Sequence, residues 1–533
     1  MSPTPTLADA MNVPARLRNL VQAPRPVITF TLTTKKNYYT TLDRIEGIVT
    51  IVAPVDTNFD SVEIEFIGTS RTFVERLTTA AAASGRSEAY QTFLRLSQPG
   101  LEGLYPENLV LKAGQAYKFP FVFAVPEQLL PRICQHKVKN ETVRQAHLRL
   151  PPTFGDHELG ARSVDNQDDF APDMSSIRYG IFAKVTELRV HKDNVWRSTI
   201  CSKARRVRVI PAVEEQPPLD VHEEEGEYLM RRERSIRKSL FKGKTGTLVM
   251  EAVQPSALSL RSYNNPESKA STTATLMLRY DPVDEASPLP KLGTLASKLK
   301  IATYYASTAR TALPVKNAAM LELAAGVHCE QLTLSSRCMA NVEWTRHEPS
   351  KASSAVSTER RDSANSTSSL ELGSIPEPSS KYTGGAYYTA RLVVPIALPS
   401  NKNFPPTFHS CLISRIYVLK FDLGISTSGI APKMEIKLPV QVTSDHLLND
   451  DTRRGGSVDS GTSMDADVDS EDVSSFFEPR MMRLPSEGHI GRSRIGSQAP
   501  VDDAPPGYSG IPLPTSAGPS YGRSRRMASV PVY

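Results

Sequence analysis

The feature that most constrains this chain is a series of short apolar runs in which every second residue is apolar. In the first half these runs are rich in β-branched and aromatic residues, and Pro, Gly and polar turns separate them. A period of two places alternate side chains on one face of an extended strand, so these runs predict strands that are buried on one side. They occupy residues 27–32, 45–51, 62–67, 90–96, 117–126 and 177–185.

A second series of such runs begins after a highly charged stretch. It comprises residues 247–252, 273–280, 392–399, 416–423 and 434–442. Many short strands separated by turn residues are typical of β-sandwiches, and 533 residues are enough for more than one domain. We therefore predict an all-β fold with two tandem β-sandwich lobes and a disordered C-terminal tail.

The predicted domain boundaries follow the changes in composition along the chain. Residues 346–381, rich in Ser, Thr, Glu and Pro, are predicted to be a disordered insertion, because so polar a segment cannot offset its ordering entropy. The predicted order is a flexible N-terminus (1–24), an N-lobe (25–212), a charged connector (213–245), a C-lobe (246–443) that contains the insertion, and a disordered tail (444–533).

The charged connector has an acidic half followed by a basic half, the basic residues beginning at Arg231. This order favours a short helix, because acidic residues complement the N-terminal end of the helix dipole and basic residues the C-terminal end. Two roles remain open for the basic half. It is either a solvated face or a patch that binds anionic lipid or a phosphorylated partner.

Charge, cysteine content and hydropathy exclude several classes of protein. A formal net charge of +6 without one dominant basic cluster is a poor basis for nucleic-acid binding. The first 30 residues lack a signal-peptide pattern, no run of ~18 apolar residues occurs, and the five cysteines include no C-x-x-C pair. We expect a cytoplasmic protein that is recruited to the plasma membrane, endosomes or Golgi.

The motifs of common enzyme and metal sites are missing from the sequence. There is no G-x-S-x-G, G-x-G-x-x-G or H-E-x-x-H pattern, so we expect neither a catalytic centre nor a cofactor. Cys134 and His136 form a Cys-Gln-His pair, but no second pair follows at the spacing of a zinc site. We therefore expect no metal at this pair.

The C-terminal tail contains a specific short motif. Pro505, Pro506 and Tyr508 form a P-P-x-Y sequence, the pattern that WW domains read, because two prolines favour a polyproline II turn and the tyrosine fills a neighbouring pocket. The last four residues resemble a weaker V-P-x-Y variant, so Val530, Pro531 and Tyr533 are a candidate second WW contact.

Three serines are candidate phosphorylation sites. Ser529 has an arginine three residues before it and a proline two residues after it, which is the spacing that 14-3-3 proteins read once a phosphate is added. Ser497 also follows an arginine by three residues, and Ser235 lies in the basic half of the connector.

Two sandwiches, a polar connector and a tail with P-P-x-Y together resemble the fungal α-arrestins, the arrestin-related trafficking adaptors. Residues 406–426 and 437–442 look like the last strands of that family's C-terminal lobe, and residues 122–131 and 177–185 look like strands of its N-terminal lobe. The resemblance covers residues 25–443 in architecture and implies two arrestin-like lobes.

The resemblance implies an adaptor without catalytic activity. Such adaptors grip an integral-membrane transporter or receptor, and their P-P-x-Y motif recruits a HECT-type ubiquitin ligase through its WW domains, which leads to cargo ubiquitination and endocytosis. The alternative is a structural subunit of a trafficking coat with an arrestin-like fold. Peripheral membrane association and 14-3-3 binding are further expectations, and nucleic-acid binding is not expected.

Overall fold

The computed structural model describes residues 25–444, with gaps at 35, 77–84, 157–158, 160–167, 192–193, 220, 222–225, 240–241, 261–269, 349–374 and 427–432. These residues belong to one compact unit, Met1–Arg480. They are mostly β-strands in several antiparallel sheets, with two α-helices among the described residues, so the predicted all-β class is confirmed. No helix in this part of the chain is long and apolar enough to span a bilayer.

Among the described residues, the first half of the unit contains nine strands and the helix α1 (Glu141–Leu148). The strands are β1 (Val27–Leu32), β2 (Arg44–Val52), β3 (Thr57–Asn58), β4 (Ser61–Arg76), β5 (Gly85–Ser97), β6 (Val110–Leu111), β7 (Ala116–Ala124), β8 (Ser175–His191) and β9 (Asn194–Val207). They form three sheets with the strand orders β1-β2-β7, β5-β4-β8-β9 and β3-β6, and every strand pair in them is antiparallel.

In its described part, the second half contains twelve strands and the helix α2 (Lys316–Leu321). The strands are β10 (Arg231–Ser239), β11 (Lys242–Ala252), β12 (Leu258–Leu260), β13 (Ser271–Pro282), β14 (Lys291–Ala306), β15 (Ala325–Cys338), β16 (Thr345–His347), β17 (Tyr387–Ala397), β18 (Phe408–His409), β19 (Ile413–Ser426), β20 (Lys433–Val440) and β21 (Val442–Ser444). Two sheets have the strand orders β10-β11-β13-β17-β16 and β15-β14-β19-β18, and β20 also pairs with β19. The strands β12 and β21 form a separate parallel pair.

Alternation along the strands builds two large hydrophobic cores. In β7, Phe119, Phe121 and Phe123 are buried while the residues between them are exposed. The first core takes most of its buried side chains from residues 28–209, and the second takes most of its own from residues 236–442. Burial of one such aromatic side chain stabilises the fold by roughly 2–3 kcal/mol, so the period-two pattern carries much of the folding free energy.

The two cores exchange side chains where they meet. Phe408, Leu412 and Ile413, from β18, β19 and the turn between them, belong to the first core. Phe170, which lies between α1 and β8, belongs to the second. Nη2 of the fully buried Arg415 also donates to the Phe170 carbonyl at 3.1 Å. The segment from β18 to the start of β19 is therefore fixed against the first half of the chain.

The predicted helix in the charged connector is wrong. Residues Arg231–Ser239 form the edge strand β10, which pairs along its length with β11. Arg231 makes ion pairs with Glu233 on its own strand and with Glu251 on β11, both at 2.8 Å. Cross-strand pairing and burial of Ile236 thus override the helix preference of the charged residues.

The predicted disordered insertion is too long at both ends. Thr345–His347 is the strand β16, which pairs with β17. At the other end, the Ser379 backbone N–H donates to the buried Asp281 carboxylate at 2.8 Å, and the Arg279 guanidinium donates to the Pro376 carbonyl at 3.1 Å. Residues 349–374, at the centre of the predicted insertion, lie outside the described residues, as do 1–24 and 445–533.

Candidate functional site

Most of the sequence-predicted binding residues lie outside the described part of the chain. This applies to Pro505, Pro506, Tyr508, Val530, Pro531, Tyr533, Ser497 and Ser529. Ser235 is described: it is exposed on the edge strand β10, where it is in register with Thr247 of β11.

The structure instead brings together four metal-ligating side chains from distant parts of the sequence. Cys134 ends a short 3-10 turn, and His136 follows it by two residues. His147 lies in the last turn of α1, and Cys411 lies in the turn between β18 and β19. We call these four residues the Cys2His2 cluster.

The helix α1 begins where its sequence predicts a start. The side chain of Asn140, the residue before the helix, accepts a hydrogen bond from the Val143 backbone N–H at 3.0 Å, so it caps the first turn. Val143 and His147, one turn apart, are the buried residues of the helix. The same face therefore anchors α1 and directs the imidazole inwards.

Distances within the Cys2His2 cluster are short. His136 Nε2 lies 3.3 Å from the Sγ atoms of both Cys134 and Cys411, and His147 Nδ1 lies 3.6 Å from Cys134 Sγ. All four ligand atoms lie within 4.8 Å of one another. Zinc–sulfur bonds of ~2.3 Å and zinc–nitrogen bonds of ~2.0 Å give a tetrahedron with edges of roughly 3.3–3.8 Å. The cluster is close to that size.

The cluster lies in a buried environment. Cys134, His147 and Cys411 are buried and His136 is partly buried. Burial lowers the pKa of the His147 imidazole to about 4, and the electrostatic interaction with the neighbouring His136 acts in the same direction. Burial raises the pKa of the Cys411 thiol to about 12, and neighbouring Cys134 adds to the effect. A neutral His147 imidazole and a neutral Cys411 thiol are therefore favoured at neutral pH unless a cation compensates the thiolate.

The backbone around the cluster is held by hydrogen bonds from two arginines. Arg144 Nη1, on α1, donates to the Cys134 carbonyl at 2.6 Å. The Arg310 backbone N–H donates to the Cys411 carbonyl at 2.9 Å. Both sulfur-bearing residues thus have fixed main chains.

The prediction that Cys134 and His136 form an isolated pair is wrong. His147 follows eleven residues after His136, on a helix that turns back over the pair, and Cys411 comes from the other half of the chain. Zinc-site spacing rules describe ligands that are close in sequence, and they do not detect a ligand contributed by tertiary packing. The local sequence signal of this site was a Cys-x-His pair, Cys134 and His136, followed eleven residues later by a third potential ligand, His147.

An end of the β8–β9 hairpin is a second notable surface. Leu188, Val190, Val195 and Trp196 are exposed there, with Val190 71% exposed, and Val190 is directly opposite Val195 in the strand pairing.

No protein-family model matches this chain, and no curated protein matches it.

Proposed function

We propose that this protein is an adaptor that links integral-membrane transporters or receptors to a WW-domain HECT-type ubiquitin ligase. The observation that carries the proposal is the P-P-x-Y motif of Pro505, Pro506 and Tyr508. A polyproline II segment costs little entropy on binding, and WW domains present an aromatic groove for such a segment. The two β-rich halves would supply the cargo-binding surface.

The exposed hairpin end of β8 and β9 supports action at a membrane. Val190 and Val195 offer apolar side chains, and Trp196 is the residue type that favours the boundary between headgroups and acyl chains. Arginines at 189 and 197 flank these residues. This arrangement supports the peripheral membrane association that an adaptor for membrane cargo requires.

A pull-down of the full-length protein with ligase WW domains tests the proposal. Tyr508→Ala removes the aromatic anchor, and loss of ~2 kcal/mol at such an anchor weakens binding about 30-fold. Tyr521→Ala is the matched control, because Tyr521 lies in the same tail without a P-P-x-Y context. The control is expected to bind like the unmodified protein.

Two results would contradict the adaptor proposal. One is unchanged ligase binding by the double variant Tyr508→Ala and Tyr533→Ala, which removes both candidate motifs. The other is stable stoichiometric co-purification with coat proteins that does not depend on residues 445–533. That second result would favour the alternative, a structural coat subunit.

A further inference from the structure

We propose that Cys134, His136, His147 and Cys411 bind one Zn²⁺ in a closed structural site. The proposal is independent of the WW motif, and its test does not depend on ligase binding. It rests on the ligand set, on the hydrogen bonds that orient the ligands, and on the chain segments that the cluster joins.

The ligand set selects the metal. Two sulfurs and two imidazole nitrogens at tetrahedral separations suit Zn²⁺, whereas Mg²⁺ and Ca²⁺ prefer oxygen and Cu²⁺ prefers a square-planar arrangement. Two thiolates and two neutral imidazoles balance the charge of the ion, so the loaded site is neutral, as a buried position requires. Four protein ligands leave no position for water, which indicates a structural rather than a catalytic centre.

His136 is oriented as metal-ligating histidines are. Its Nδ1 lies 3.2 Å from the Lys137 carbonyl oxygen, which accepts a hydrogen bond when Nδ1 carries the proton. This tautomer leaves the Nε2 lone pair directed at the cluster. One lone pair accepts a hydrogen bond from only one thiol, yet Nε2 lies 3.3 Å from both sulfurs. A cation at the centre of the cluster satisfies Nε2 and both sulfurs together.

The site joins two parts of the chain that are 277 residues apart in sequence, from Cys134 to Cys411. On one side are the 3-10 turn and α1, and on the other is the turn between β18 and β19. A third segment is fastened beside them, because the Lys139 N–H donates to the Thr311 carbonyl at 2.7 Å. Bound zinc therefore clamps the 3-10 turn and α1 to the β18–β19 turn, and its binding free energy adds to the stability of the folded state.

The first measurement is the zinc content of the full chain, purified in reducing buffer without chelators and then supplied with Zn²⁺ and desalted. We expect one zinc per chain by elemental analysis. Cys411→Ser is expected to lose the zinc, with an affinity at least tenfold weaker. The matched control is Cys201→Ser, a partly buried free cysteine on β9 that lies outside the cluster, and it is expected to retain one zinc.

A second measurement on the unmodified protein decides the question even if Cys411→Ser does not fold. Removing metal with a chelator is expected to lower the melting temperature, and added Zn²⁺ is expected to restore it. Replacing zinc by Co²⁺ is expected to give the visible spectrum of tetrahedral cobalt with sulfur-to-cobalt charge-transfer bands. The proposal is overturned by zinc content well below one per chain, by an octahedral cobalt spectrum, or by a Cys134–Cys411 disulfide in peptide mass spectrometry of the purified protein.

Discussion

A buried ion pair fastens the segment that follows α1 to the sheet of the first half. Arg206 Nη1, on β9, lies 2.8 Å from Asp156 Oδ1, and the two side chains are 6% and 1% exposed. The other carboxylate oxygen of Asp156 has no hydrogen-bond partner among the described residues. We predict that Arg206→Met, which keeps an apolar stem and removes the charge, destabilises the fold strongly.

The expected magnitude follows from this geometry. Two unit charges 2.8 Å apart attract by about 6 kcal/mol at an effective dielectric constant of ~20, and desolvation of both groups offsets part of that. Loss of Arg206 alone leaves the Asp156 carboxylate buried without its counter-charge, which costs about 3–5 kcal/mol. Adding Asp156→Asn removes that charge. The free energy of unfolding should therefore fall in the double variant by at least ~2 kcal/mol less than the summed losses of the two single variants.

Urea unfolding of the full chain, followed by circular dichroism, measures these differences for all four members of the cycle. The control is Arg197→Met on the same strand, since Arg197 pairs with Asp60 at 3.1 Å but its side chain is 59% exposed. Such a surface pair contributes at most about 1 kcal/mol. Equal effects of Arg206→Met and Arg197→Met, or additive effects within the cycle, would refute the reasoning.

Two further variants test packing and the exposed hairpin. A Cβ added at Gly47 in β2 would lie 2.5 Å from the Thr31 carbonyl oxygen, so Gly47→Ala should lower the free energy of unfolding by about 1–3 kcal/mol. The control is Gly85→Ala, whose added Cβ meets nothing within 4 Å and should change the stability little. Equal melting temperatures for these two variants would contradict this packing argument. Val190→Asp should weaken sedimentation with phosphatidylserine vesicles about tenfold, because burying a valine contributes ~1.5 kcal/mol. Val283→Asp, at a site 53% exposed and outside the hairpin, is the control, and equal vesicle binding would exclude the hairpin as the membrane contact.

Strands were predictable where apolar and polar residues alternate in the sequence. Residues 27–32 and 434–442 show regular alternation, and the structure has strands at both positions because one face of each packs on a core. The edge strand β10 was not predictable in this way. Its sequence consists mostly of charged residues, and only its pairing with β11 and the burial of Ile236 decide its conformation.

The strand β14 shows a different limit of sequence reasoning. Its residues Lys298 and Lys300 are half-buried and alternate with the buried Ser297, Leu299 and Ile301, although β14 is a central strand between β15 and β19. Lys298 is accommodated by an ion pair with Asp422 on β19, with 3.1 Å between Nζ and Oδ2. A charge partner contributed by another strand is not visible in a local window, so the sequence pattern alone does not show how a central strand accommodates these lysines.

The same reasoning explains why the Cys2His2 cluster was not predicted, because Cys411 is contributed by a distant part of the chain, and it explains how the cluster forms. Cys411 lies between Phe408 and Leu412, and both of these side chains are buried in the first core. The ring of Phe408 also contacts that of Phe154, with 5.7 Å between ring centroids. Apolar burial thus holds the turn that carries Cys411 against the first half, without any contribution from a metal.

Zinc therefore has a different role here from the one it has in a small zinc finger, which is unfolded without its metal. Two large hydrophobic cores stabilise the two halves, and the ion adds free energy locally, at α1 and the β18–β19 turn. Hydrogen exchange should accordingly show that chelation reduces the protection of amides in α1 and leaves the central strand β4 unchanged. Loss of protection throughout both halves would instead mean that the metal is needed for the fold as a whole.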